Sequence, residues 1–224
     1  ANGDFKDFRN NIAFTPVELA VMRDIGYNIT LSDHFGDTFY QDSNGVQQSV
    51  AAATPTKNFG VGTFIQADNL NLLFDNDISA NGTYGTGIRI NGGQEAVSNQ
   101  NGQIIKARST IGNLLTIDQG TSISANGMGG IGLLQSAGGN NVIVHRGTIN
   151  ANGTDGRGMV FDFGSDNLFN QVNSDDYGFG MVSRLDLSGT INTAGGNGAA
   201  IFIDDSAAFG TINVMDGADI NGDV

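Results

Sequence analysis

Four segments of this 224-residue chain follow one template: an Ile, a small polar residue, Ala or Thr, a turn, a glycine, then a second apolar stretch. They run from Ile78 to Ile90, Ile123 to Gln135, Ile149 to Phe161 and Ile191 to Ile203, and a fifth begins at Ile220. Self-similarity at a spacing of tens of residues marks a repeat architecture, in which each unit buries its apolar face only by stacking on the next. Because the last copy stops at Val224, the chain reads as a piece of something longer.

Aligned by column, the copies show what the geometry demands. Ile78, Ile123, Ile149 and Ile191 are followed two residues later by Ala80, Ala125, Ala151 and Thr193, a period of two that assigns a strand with alternate side chains inside. Asn81-Gly82, Asn126-Gly127 and Asn152-Gly153 then read as the turn, with Ala194-Gly195 as the variant. A glycine column at Gly85, Gly130, Gly156 and Gly198 implies a bend too sharp for a side chain. The next strand points Ile88, Leu133, Met159 and Ile201 inward, then Ile90, Gln135, Phe161 and Ile203, so Gln135 is the polar misfit.

A third strand precedes each copy, with Leu72 and Phe74, Leu115 and Ile117, Val142 and Val144, Leu185 and Leu187, and Ile212 and Val214 as its inward pairs. Three strands per repeat describe one rung of an all-β, right-handed parallel β-helix, a solenoid. A sandwich or an antiparallel meander would share the Gly-rich and Asn-rich composition, but columns repeated at rung spacing favour the coil. From Ile123 to Ile149 a rung takes 26 residues, whereas the rungs beginning at Ile78 and Ile149 take 45 and 42. The excess falls at one corner both times, in roughly 92–111 and 164–184, because insertions must leave the flanking rungs stacked.

Residues 1–30 break the pattern and 31–224 are assigned to the β-helix. Thr15, Pro16 and Glu18 form a capping box, good helix formers follow from Leu19 to Ile25, and Gly26 is a stop, which predicts a short N-terminal helix. This segment is either a lid over the open end of the solenoid or the tail of an upstream domain.

The chemistry-bearing residues are sparse. The net charge of −13 and the absence of a basic run argue against nucleic acid as a partner. There is no cysteine, so neither disulfides nor thiol chemistry operate. No apolar run is long enough for a membrane-spanning helix, and no charged-then-apolar leader opens the chain. His34 and His145 lie far apart without an H-E-x-x-H, and His145 is expected in a solvated turn. Gly195-Gly196-Asn197-Gly198 only begins like the calcium-binding nonapeptide. Acidic residues at Asp162, Asp166, Asp175, Asp176, Asp204 and Asp205, with Arg157 and Arg184 as basic neighbours, keep a polysaccharide lyase or hydrolase open as an alternative. No catalytic residue, cofactor or metal ligand is assigned.

An interaction surface is the leading expectation. Its candidates are Gln94, Glu95 and Arg108 in the first insertion, and Asp175, Asp176, Tyr177 and Arg184 in the second. An outward column of Arg89, Leu134, Val160 and Phe202 adds an apolar stripe, either covered by another segment such as the N-terminal helix or available to a partner.

The stretches Ile78 to Gly93, Ile123 to Gly139, Gly158 to Gly164 and Ile212 to Val224 resemble the passenger region of bacterial type V autotransporters, over roughly residues 60–224. That resemblance implies a non-enzymatic adhesin or self-association module on the bacterial cell surface, displayed by an outer-membrane barrel that this chain does not contain. The implied partners are a host or bacterial cell-surface protein or glycan, or a further copy. Phe14 to Tyr27 is similar to the segment that closes some secreted zinc-metallopeptidase-like domains, which leaves a third alternative, a stalk for such a domain upstream.

Overall fold

A computed structural model of the chain describes residues 21–28, 35–42, 45–49, 60–90, 97–98, 104–105, 110–136, 138–162, 181–194, 198–205 and 207–224. Strands β1 (Phe35–Asp42) and β2 (Gly45–Ser49) open the described β-structure. The first full rung is β3 (Val61–Gln66), β4 (Asn71–Phe74) and β5 (Ile78–Ser79). The second holds β6 (Thr86–Ile90), a small hairpin of β7 (Val97–Ser98) and β8 (Ile104–Ile105), then β9 (Leu114–Ile117) and β10 (Ser122–Ser124). The third is β11 (Ile131–Gln135), β12 (Asn141–His145) and β13 (Thr148–Ala151). The fourth is β14 (Arg157–Phe161), β15 (Val182–Leu187) and β16 (Thr190–Thr193), and the fifth β17 (Ile201–Ile203), β18 (Phe209–Val214) and β19 (Asp219–Asn221).

Each rung contributes one strand to each of three sheets. Sheet A runs β17-β14-β11-β6-β3-β1-β2, sheet B β18-β15-β12-β9-β4 and sheet C β19-β16-β13-β10-β5. All pairings in these sheets are parallel except β1 with β2, so the fold is a parallel β-helix closed on sheet A by an antiparallel hairpin. Residues 45–49 therefore lie at the edge of sheet A, paired antiparallel with β1.

Side chains of equal position stack because parallel strands in register place identical residues one above another. Ile78, Ile123, Ile149, Ile191 and Ile220 form one interior ladder on sheet C. Ile88, Leu133, Met159 and Ile201 form another on sheet A, and Leu72, Leu115, Ile143, Leu185 and Ile212 a third on sheet B. Apart from Ile212, which is exposed on the last rung, these residues share one core with Phe161 and Leu187, and each fully buried aliphatic side chain contributes about 1.5–3 kcal/mol of transfer free energy. Phe161 meets the ring of Phe209 edge-to-face at 4.8 Å.

On β12 the structure moves the expected pairing by one residue. Ile143 and His145, not Val142 and Val144, are buried and stand in line with Leu115 and Ile117 of the preceding rung and Leu185 and Leu187 of the following one. His145 is thus an interior residue with no exposed surface, which corrects its placement in a solvated turn. Every residue from Val142 to Val144 is apolar, so alternation alone leaves the phase open; pairing with β9 fixes it.

The corner from sheet C to sheet A works differently from the Asn-Gly turn expected. Backbone in the left-handed region falls at Tyr84 (φ 57), Gly129 (φ 64) and Asp155 (φ 57), two residues beyond the Asn-Gly pairs. The asparagines instead continue the ladder where strands end: the Asn81 side-chain carbonyl accepts the Asn126 backbone N–H at 2.8 Å, and that of Asn126 accepts the Asn152 N–H at 3.0 Å. The Gly85, Gly130 and Gly156 column is also set by crowding and not by a positive φ, since a Cβ there would overlap the carbonyl oxygens of Ala80, Ala125 and Ala151.

Sheet A is apolar on both faces. Phe35, Val61 and Phe64 form a cluster outside the solenoid, with Phe35 and Phe64 edge-to-face at 5.7 Å and Met22 packed on them. Met22 belongs to a helical turn at 21–24 that ends in a Schellman arrangement: Tyr27 N–H donates to Met22 O at 3.0 Å, Gly26 N–H to Arg23 O at 3.0 Å, and Gly26 takes φ 101. The stop at Gly26 is the one expected, while Thr15, Pro16 and Glu18 lie outside the described residues. Among the described residues no helix is long and apolar enough to cross a membrane.

Candidate interaction surface

Both insertions leave the solenoid between sheet A and sheet B, the corner where the third rung passes directly from Gln135 to Asn141. That short passage turns on Gly138 (φ 92) and Asn140 (φ 52), and it is the template from which the longer versions depart. The first insertion begins after Ile90, whose carbonyl accepts the Ser136 N–H at 3.0 Å. The second begins after Asp162, whose N–H donates to Gln135 O at 3.0 Å.

The returning ends are fixed by buried amides. Asn141 Oδ1 accepts from the Asn113 backbone N–H at 2.9 Å and from Asn113 Nδ2 at 3.1 Å, while Asn141 Nδ2 donates to Thr110 O at 3.2 Å. Asn113 Oδ1 in turn accepts the Leu70 N–H at 2.8 Å, and Asp68 Oδ1 accepts the Ile111 N–H at 3.1 Å. Residues 110–113 are thereby tied to the rung before and the rung after. The second return is tied the same way: Met181 O accepts from Gln135 Nε2 at 3.0 Å, and Met181 N–H donates to Ala208 O at 2.9 Å. Gln135, the polar misfit of its column, is explained by that bond across the corner.

Replacing Asn141 by Ala would leave the two buried Asn113 donors without their acceptor, while the Thr110 carbonyl keeps the Gly139 N–H at 3.1 Å. Each such orphaned group costs about 1–3 kcal/mol, so a loss of at least about 2 kcal/mol is expected in urea unfolding. A change below about 0.5 kcal/mol, the range of an ordinary surface substitution, would show that the corner does not depend on this amide.

The sequence candidates divide as follows. Gln94, Glu95 and Arg108, and likewise Asp166, Asp175, Asp176 and Tyr177, lie outside the described residues, as does His34. Arg184 is exposed on the outer face of sheet B, where its Nε lies 3.1 Å from Asp186 Oδ2 and Asn213 Nδ2 donates to Asp186 Oδ1 at 2.7 Å. Leu134 and Val160 are buried, at 1% and 0% exposure, in an outer cluster with Ile131, so those two positions present no free apolar surface. Phe202 is half-buried beside them, with the Arg157 guanidinium 4.6 Å above its ring.

For the carbohydrate-active alternative, Asp162 and Asp204 follow Phe161 and Ile203 on successive sheet-A strands, and Asp205 is exposed. No group of three or more His, Asp or Glu side chains suited to holding a metal ion occurs among the described residues. Sequence reasoning passed over Asn113 and Asn141. Their signal was an Asn at the start of the sheet-B strand, Asn113 just before β9 and Asn141 opening β12, 28 residues apart.

Fold and corner together define a parallel β-helix with two side insertions rooted on one edge. No family model, curated protein or solved structure matches the chain.

Proposed function

We propose that this chain is the surface-exposed, non-enzymatic passenger part of a bacterial type V autotransporter, acting as an adhesin or self-association module through its two insertions. The observation that supports this reading is the common corner. The three sheets keep their parallel order, with one register shift where β12 meets β15 at Asn141, while all the large length variation is confined to the passage from sheet A to sheet B. Insertions two rungs apart are separated at their roots by about 10 Å at ordinary strand spacing, close enough to address one partner surface together.

Anchored roots favour recognition because a contact loop held at both ends loses less conformational entropy on binding. The partner on this reading is a cell-surface protein, a glycan or a second copy of the chain, and the place of action is the outside of the bacterial cell.

The test is to replace 92–109 and 164–180, separately and together, by the short passage Ser136 to Asn140 of the third rung. Far-ultraviolet circular dichroism and the melting temperature should stay close to those of the parent chain, because the rungs on either side already stack. Adhesion or aggregation of cells displaying the chain should fall at least tenfold in the double replacement. Undiminished adhesion with the fold retained would remove the insertions from the function.

A further inference from the structure

We propose that His145 is an acid-sensitive latch in the wall of the solenoid: its neutral ring closes the core between the third and fourth rungs, and its protonation loosens that junction. The ring occupies a ladder otherwise filled by Phe74, Ile117, Leu187 and Val214, and it has no exposed surface. Nε2 lies 3.0 Å from Thr190 O, a carbonyl that can only accept, so Nε2 carries the hydrogen. Nδ1 is then a bare acceptor, and it is buried without a hydrogen-bond partner. A second proton must go to Nδ1, placing a charged imidazolium and an unpaired donor among aliphatic side chains.

Among the described residues, nothing around the ring is arranged to receive that charge. The aligned inward neighbours on β9 and β15 are Leu115, Ile117, Leu185 and Leu187, all aliphatic. Strands β13 and β16 carry no titratable side chain. The charged groups on the elements packed against it are Asp118 after β9, half-buried, Arg146 in its own turn, exposed, and Arg184 with Asp186 on β15, paired with each other on the outer face. Burial accordingly holds the His145 pKa below its ordinary value of 6.5, with the Thr190 carbonyl acting in the opposite sense and more weakly.

The sign follows from linkage. A histidine whose folded pKa is depressed binds fewer protons folded than unfolded, so its contribution to stability is complete above about pH 6.5 and declines as pH falls below that. The backbone makes the effect local. His145 O accepts the N–H groups of Ser188 and Gly189 at 2.9 and 3.0 Å, joining the third rung to the fourth. The third rung lies between the rungs that carry the two insertions, so loosening it changes how their roots sit relative to each other. The latch itself does not depend on the adhesin reading.

Urea unfolding of the parent chain and of His145→Leu, which matches the size of its ladder neighbours, should be compared at about pH 7.5 and about pH 5. Between these values the parent should lose about tenfold more in its folding equilibrium constant than the variant, the carboxylate background being common to both. Should His145→Leu fail to fold, nitrogen NMR of the parent ring, assigned with His34→Gln, reads the same property. It should report the Nε2–H tautomer and no protonation until well below pH 6.5, with backbone-exchange protection at Ser188 and Gly189 falling as the ring titrates. Parallel pH profiles of parent and variant, or a ring that titrates at or above 6.5, would overturn the latch.

Discussion

Gly132→Val is expected to abolish stable folding of the central rungs, or to cost more than about 3 kcal/mol if an unfolding transition can still be measured. A Cβ at this position would overlap Ile149 Cγ2 in the interior and stand 2.6 Å from the carbonyl oxygen of Gly158 on the next rung. The second obstacle is backbone, which cannot turn aside as a side chain can. Gly87 and Gly158 are blocked in the same way, by Ile123 Cγ2 with Gly132 O and by Ile191 Cγ2 with Ala200 O. The equivalent position next to β17, the edge strand of sheet A among the described residues, is Ala200. Gly82→Ala supplies the control: nothing lies within 4 Å of the Cβ it would add, so it should fall within about 0.5 kcal/mol of the parent. Thermal and urea unfolding of the two variants would decide the matter, and equal stability would show that the rungs are not packed as closely as described.

Ile149→Ala should cost about 3–4 kcal/mol, within the range for deleting a buried Ile in a rigid core. Ile149 has no exposed surface and sits at the middle of the sheet-C ladder, with Ile123 on one side and Ile191 on the other. In a solenoid each rung is stabilised only by its neighbours, so damage at the middle weakens two interfaces at once. The same change at Ile220, half-buried on the final rung, should cost less than half as much. Because Ile149 Cγ2 fills the space that Gly132 leaves open, the two sites are coupled. Gly132→Ala combined with Ile149→Ala should therefore be more stable than the sum of the single changes implies, by about 1 kcal/mol. Strict additivity in that cycle would argue that the glycine column is not held open by the isoleucine ladder.

Taken with the amide ties at the insertion corner, these expectations separate two kinds of residue. Glycines and isoleucines determine whether rungs stack at all, while Asn113, Asn141 and Gln135 determine how insertions enter and leave a stack that already exists. A variant of the second kind can keep the solenoid and still misplace an insertion. It is consequently the better tool for separating the proposed adhesion from folding.

Much of the solenoid was legible because a repeated pattern is self-checking: Ile123 and Ile149 had to occupy equivalent places, and they are paired across adjacent strands. The shared corner of the insertions could also be read directly, since a rung that is longer than its neighbour must carry the surplus where no stacking is disturbed. Besides the turn geometry of the corner from sheet C to sheet A, three things escaped. The run from Val142 to Val144 is apolar at every position, so its alternation has no unique phase, and only pairing with β9 turned His145 inward. The sequence left open whether the apolar column through Leu134 and Val160 is covered or free, because a strand pattern distinguishes one face from the other without saying whether the far face is covered. The amide ties of Asn113 and Asn141 join residues that the repeat aligns but whose side-chain bonds no local pattern specifies. Local periodicity, then, set the rungs, their order and the edge from which the insertions spring. Contact between rungs decided phase, burial and crowding, since those depend on distances between segments that only the coiled chain brings together.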